Sequence, residues 1–155
     1  MSSFRSRRSL RYVARPKRNA ERHVRAGTSS LAANTQQVAY TFTASRAGTV
    51  KSIKLDIGAN SGNDNLIVMP YALVVVREGY NANQLVYPAL TDDMYNPTMD
   101  VLISGVLTDG TVEDHKWNKI GRRLKTGDRL CLIIYNTTAS TAIVCAFELS
   151  FSFMT

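Results

Sequence analysis

The chain predicts an all-β body behind a disordered basic N-terminal arm, and three observations lead there. Apolar residues alternate with polar ones in several short segments bounded by Gly, Asn, Asp and Pro, the pattern of half-buried strands. No segment combines helical spacing with helix-forming residues over about twelve positions. Positive charge, finally, is confined to one end. Residues 1–25 hold nine cations, Arg5, Arg7, Arg8, Arg11, Arg15, Lys17, Arg18, Arg22 and Arg25, against one acid, Glu21. The other 130 residues hold ten basic and eleven acidic side chains, so the net charge of +7 resides in the arm.

Crowded like charges interrupted by Ser, Asn and Pro16 repel one another and offer too few apolar groups to offset ordering entropy. The expected division is therefore an arm over 1–25, a polar hinge over 26–36 rich in Gly, Thr, Ser, Ala and Asn, and a folded body over 37–155. A mitochondrial transit peptide shares the Arg-rich, acid-poor composition, but the clusters Arg7-Arg8 and Lys17-Arg18 suit a polyanion better. The N-terminus lacks the apolar segment of a secretory signal, and no apolar run is long enough for a transmembrane helix, so membrane insertion is not expected.

Within the body, Val38, Tyr40, Phe42 and Ala44 share one face of a first strand. After a turn at Ala47-Gly48, Ile53, Leu55 and Ile57 alternate with Lys54 and Asp56 in a second, wet-faced strand. The runs Leu66–Met69 and Tyr71–Val76, split by Pro70, suit strands covered on both faces or lying at a subunit contact. A polar connection from Asn81 to Pro97 is the candidate exposed surface. Asp109-Gly110 predicts a hairpin between the strand Val101–Leu107 and a return limb carrying Trp117. A basic loop, Gly121 to Arg129, precedes a strand with Leu130, Leu132 and Ile134, and the closing strand shows Ile143, Cys145, Phe147, Leu149, Phe151 and Phe153 on one face. About seven or eight such strands suggest a sandwich, jelly roll or barrel.

No catalytic constellation assembles from these residues, and the chain is expected not to be an enzyme. His23 falls in the arm, and His115 reads as a solvated turn histidine. No metal-binding or phosphate-loop motif occurs, so neither a metal nor a cofactor is expected; Asp92, Asp93 and Asp100 could hold calcium only between subunits. Cys131 and Cys145 fall on opposite strand faces, which argues against a disulfide between them. Phe4 and Tyr12 in the arm are candidates for stacking on unpaired bases, whereas Trp117 reads as packing. Arg122, Arg123, Lys125 and Arg129 form a possible secondary basic cluster.

The arginine arm, Val101-Leu102-Ile103-Ser104-Gly105 before a turn, and Arg122-Arg123-Leu124-Lys125-Thr126-Gly127-Asp128-Arg129-Leu130 leading into a strand together resemble small viral jelly-roll capsid proteins. The likeness is to the coat proteins of Rep-encoding circular single-stranded DNA viruses, with satellite-virus coats sharing the plan. The resemblance implies an eight-stranded antiparallel jelly-roll sandwich and self-assembly into the smallest icosahedral shell (T=1) of about sixty subunits. It further implies single-stranded nucleic acid as partner, DNA favoured over RNA, a virion location and a host nuclear stage. Arm cations would displace counterions from the polymer; with about eight phosphates neutralised, log K would fall with log salt at a slope of roughly −5 to −6. Deleting residues 1–25 is expected to leave the body folded and to abolish cargo binding. The alternative is a non-viral RNA-binding or ribosomal-type β-barrel, which usually spreads positive charge over its body; a hydrolase would need a pocket around His115.

Overall fold

The computed structural model describes residues 19–60, 68–80, 99–108, 110–118, 120–138 and 141–155. Arg5, Arg7, Arg8, Arg11, Arg15, Lys17 and Arg18 lie outside the described residues, as do Phe4, Tyr12, Asp92, Asp93 and the connection 81–98. Nine strands are described: β1 Ala20–Leu31, β2 Thr35–Thr43, β3 Gly48–Asn60, β4 Val68–Val76, β5 Met99–Thr108, β6 Val112–Trp117, β7 Arg122–Leu124, β8 Arg129–Asn136 and β9 Ile143–Met154.

They form two antiparallel sheets, one in the order β1-β9-β3-β6 with β7 also pairing β3, the other in the order β2-β8-β4-β5. The expected count of eight is met if β6 and β7 are one interrupted strand. Val112–Trp117 pairs with Gly58–Ile53, and Arg122–Leu124 continues along Val50–Gly48 of the same neighbour. With that merger, β4 to β5 is the one connection that stays within a sheet, and every other one crosses the sandwich. This is jelly-roll connectivity, the second of the three architectures that strand spacing left open.

The closing strand seeds the core as its alternation predicted. Cys145, Leu149, Phe151 and Phe153 of β9 are buried against Ile53, Leu55 and Ile57 of β3 and against Tyr71, Leu73, Leu132 and Ile134 from the facing sheet. The run in β4 is covered on both sides. Met69, Tyr71, Leu73 and Val75 enter the main core, while Ala72, Val74 and Val76 join Cys131 and Ile133 in a second cluster flanked by Val38 and Val101. Because Tyr71–Val76 is buried within the chain, it is not the exposed lateral contact that its apolarity suggested. The two thiols also part company, Cys131 in the second cluster and Cys145 in the main core, where burial pushes its pKa up to about 12.

Further expectations about the strands are corrected. Residues 20–25 of the arm and 26–31 of the hinge form one strand, β1, paired with β9 from Ala20↔Met154 to Leu31↔Ile143. An unpaired β9 would present a row of backbone donors and acceptors at the sheet edge, and β1 satisfies them. Its charges are tolerated because an edge strand stays solvated: Glu21 pairs with Arg46, and His23, far from floppy, stacks on Phe151 at 4.9 Å and lies 4.6 Å from Phe42. Secondly, β5 and β6 are no hairpin. The turn closed by Thr111 N–H donating to Thr108 O carries the chain from one sheet to the other.

Thirdly, Val38 and Tyr40 do not share a face. A bulge between them shifts the register, so Val38 meets the second cluster and Tyr40 the main core. Finally, Pro70 does not split β4: β8 pairs β4 only from Tyr71 onward, so the missing N–H at Pro70 interrupts no ladder on that side.

At the edge opposite β1, fully buried Tyr71 reaches across the sandwich to β6. Its hydroxyl donates to Glu113 and contacts His115 Nε2, and the two β6 side chains lie 3.0 Å apart. His115 is thus a half-buried strand residue, not a solvated turn histidine. Gly105 leaves the space for this arrangement, since a Cβ there would stand 2.7 Å from Tyr71 Cζ and 2.8 Å from Glu113 Oε2. Gly105→Ala is accordingly expected to cost about 1–3 kcal/mol in urea unfolding; wild-type stability in that variant would mean that Tyr71 does not occupy this position.

Candidate nucleic-acid interface

The strand register collects the chain's cationic features at one end of the sandwich. There β1 begins, β9 ends, and Thr155 N–H donates to Asn19 O at 3.1 Å, so the segment bearing the seven remaining arm cations joins the body at this point. The same end holds a cleft of about 1200 Å³ lined in part by Gly48, Thr49, Lys51, Arg77, Gly121, Arg123, Lys125 and Met154.

Alternation decides which side chains face solvent here. Arg22, Ser152 and Lys51 stand in one cross-strand row, and Met154, Thr49 and Arg123 in the next. Their neighbours Phe151 and Phe153 point into the core, so both rows lie on the outer face of the first sheet. Arg25 is aligned with buried Leu149 and belongs to the opposite side, where its charge acts on Tyr40. Burial raises the Tyr40 pKa, and Arg25 partly opposes that rise.

The secondary cluster is not a single patch. Arg122, paired with Val50 on the inward side, lies 3.5 Å from Asp100. Arg129 donates to the Tyr80 carbonyl on the second sheet. Arg123 and Lys125 alone face the cleft, and Lys51, which the sequence did not single out, joins them. Lys51 could have been found only by knowing that β3 pairs with β9, a contact roughly a hundred positions away in the chain. Among the described residues, none of Arg22, Lys51, Arg123 and Lys125 has an ion-pair partner.

The acids at this end are largely committed to the scaffold. Asp128, 2% exposed, accepts from Arg77 Nη1 at 2.7 Å, from the Lys125 amide at 2.8 Å and from the Glu78 amide at 3.2 Å. Burial disfavours its charge, but the Lys125 amide, the guanidinium and the Glu78 amide outweigh that, and its carboxyl is held below the usual carboxylate range. Asp100 accepts from Arg77 at 2.7 Å, so it is engaged by guanidinium groups and not set aside for calcium. No group of three His, Cys, Asp or Glu among the described residues could hold a metal ion. Glu78 is the lining carboxylate without a cationic partner among the described residues.

No protein-family model matches this chain, and no curated protein matches it. Among solved structures it is similar to a chain of the Bacillus endospore appendages, described as disulfide-linked pili, at 12% identity and a TM-score of 0.47, over 92% of this chain and 96% of that one. It is also similar to a chain of infectious bursal disease virus Gt strain, at 10% identity and a TM-score of 0.47 over 90% of this chain. The Gx strain gives 11% identity and a TM-score of 0.45 over 89%. The chain spans about a third of the length of these two viral chains, 33% and 32%. No functional conclusion rests on these likenesses.

Proposed function

We propose that this chain is a viral capsid protein that self-assembles into a small icosahedral shell and packages single-stranded nucleic acid through its arginine-rich N-terminal segment. One observation carries the reading: the net charge of +7 is segregated into residues 1–18, seven cations and no acid, ahead of a folded body whose twelve basic and twelve acidic side chains cancel. Such a body is free of the self-repulsion that a strongly basic surface would impose on neighbouring copies, while the segment supplies the counterion displacement that drives polyanion binding. The jelly-roll strand order supports the same reading, although that fold also carries other functions and does not decide the matter alone.

The role is non-catalytic. His115 and Glu113, a histidine–carboxylate pair among the described residues, are spent on holding the Tyr71 hydroxyl. DNA is the favoured cargo, a T=1 shell of about sixty copies the favoured assembly, and the virion the place of action, with a nuclear stage in the host. A small RNA-binding barrel would call for cations spread over the body. Electron microscopy of the purified protein, with the ratio of absorbance at 260 and 280 nm, tests the proposal. Closed uniform particles with nucleic-acid absorbance are the expected result; a monomer binding RNA weakly would transfer the assignment to the binding module.

A further inference from the structure

We propose that the body itself carries a phosphodiester track, formed by Arg22, Lys51, Arg123 and Lys125, on which the nucleic acid continues after leaving the N-terminal segment. This rests on the reading of the chain as a nucleic-acid-binding coat protein and adds a surface that charge counting misses, because the folded body from Asn19 onward is neutral as a whole, with twelve basic and twelve acidic side chains. The four cations come from β1, β3, β7 and the turn after β7, and the register sets them around the point where the segment joins the body. Arg22 and Lys51 flank Ser152 across the sheet, about 10 Å apart at the backbone.

Cations elsewhere on the same face are already used. Lys54 is paired with Asp56 and Lys116 with Asp114, and Glu148 stands opposite Asp56 on the same face, so the middle of the sheet has no spare cation, while the end beside the cleft keeps its positive charge. One competing acid of the cleft, Asp128, is neutralised by Arg77; Glu78 remains as a lining acid. Among the described residues, the side chains lining the cleft are aliphatic, polar or charged, and its cations are suited to phosphates. The track is therefore built for the sugar-phosphate backbone.

The test uses the full chain and a fluorescent oligodeoxythymidine, with affinity measured by anisotropy between about 50 and 200 mM salt. Replacing Arg22, Lys51, Arg123 and Lys125 by Gln is expected to make the slope of log K against log salt shallower by about 3, because each lost single-strand phosphate contact removes roughly 0.7. The paired lysines serve as control: Lys54→Gln with Lys116→Gln should leave the slope as it is. Exchanging Arg for Lys and Lys for Arg at the four positions should restore it, which separates charge from folding. A wild-type slope in the Gln variant, with the wild-type chain binding normally, overturns the track and leaves the N-terminal reading standing. Failure of the wild-type chain to bind the oligonucleotide overturns both.

Discussion

Deletion of residues 1–18 is expected to leave the sandwich folded while weakening single-stranded nucleic-acid binding by about three orders of magnitude at low salt. Seven of the nine cations of the arm go with that cut, and the salt slope should become shallower by about 5, at roughly 0.7 per phosphate. Deletion of residues 1–25, the boundary that charge alone suggests, is a different experiment. It takes six residues from β1, removes the Glu21–Arg46 pair and the stacking of His23 on Phe151, and bares the edge of β9 along Leu149–Met154. Losing these ladder bonds and contacts should cost about 2–4 kcal/mol in urea unfolding. The exposed edge should also promote association, visible by size-exclusion chromatography. Equal stability of the two truncations would show that residues 20–25 contribute nothing as a strand; an unchanged salt slope after the shorter cut would remove the N-terminal segment from the binding mechanism.

Local alternation marks the strands that bury a face and passes over an edge strand such as β1, which buries little. Alternation identified the core faces of β3, β8 and β9 residue by residue, since Ile53, Leu132 and Phe151 each sit in a locally periodic pattern that burial rewards directly. It failed on β1, because an edge strand buries little: its inward positions include Glu21, His23 and Arg25, and its pairing is satisfied by β9, which lies over a hundred residues downstream. The Val38–Tyr40 bulge and the crossing of the chain between sheets at Thr108–Thr111 are likewise set by neighbours remote in sequence. The same holds for the interface. Arg122 and Arg123 are adjacent and chemically identical, yet one turns inward to Asp100 and the other faces the cleft, a distinction decided by their register on β3.

Asp128→Ala should be the most damaging single substitution at the cationic end. Asp128 sits in the turn between β7 and β8, whose own backbone is tied to the end of β2 by Gly127 N–H donating to Ala44 O and Ala44 N–H donating to Asp128 O, both at 2.9 Å. Its carboxylate binds Arg77 and two backbone amides, so truncation strands the Lys125 and Glu78 donors and leaves Asp100 as the remaining carboxylate on Arg77. Arg77 is partly exposed and can recover water, which limits the loss, but the orphaned amides and the buried site together should cost about 3 kcal/mol. The pH dependence follows from the direction of the shift. With its folded pKa held below the unfolded value of about 3.9, Asp128 stabilises the fold fully above that value, and the contribution fades as pH falls through the folded pKa. Thermal unfolding from neutral pH into the acid range should therefore show the wild type and Asp128→Asn converging at low pH and separating towards neutrality. Because the turn also places Arg123 and Lys125 at the cleft, Asp128→Asn should shift the salt slope of nucleic-acid binding in the same direction as removing those two cations, even though the substitution lowers the negative charge of the cleft. A rise in affinity matching the lost negative charge would instead show Asp128 acting only as a repulsive acid, with no part in positioning the cations.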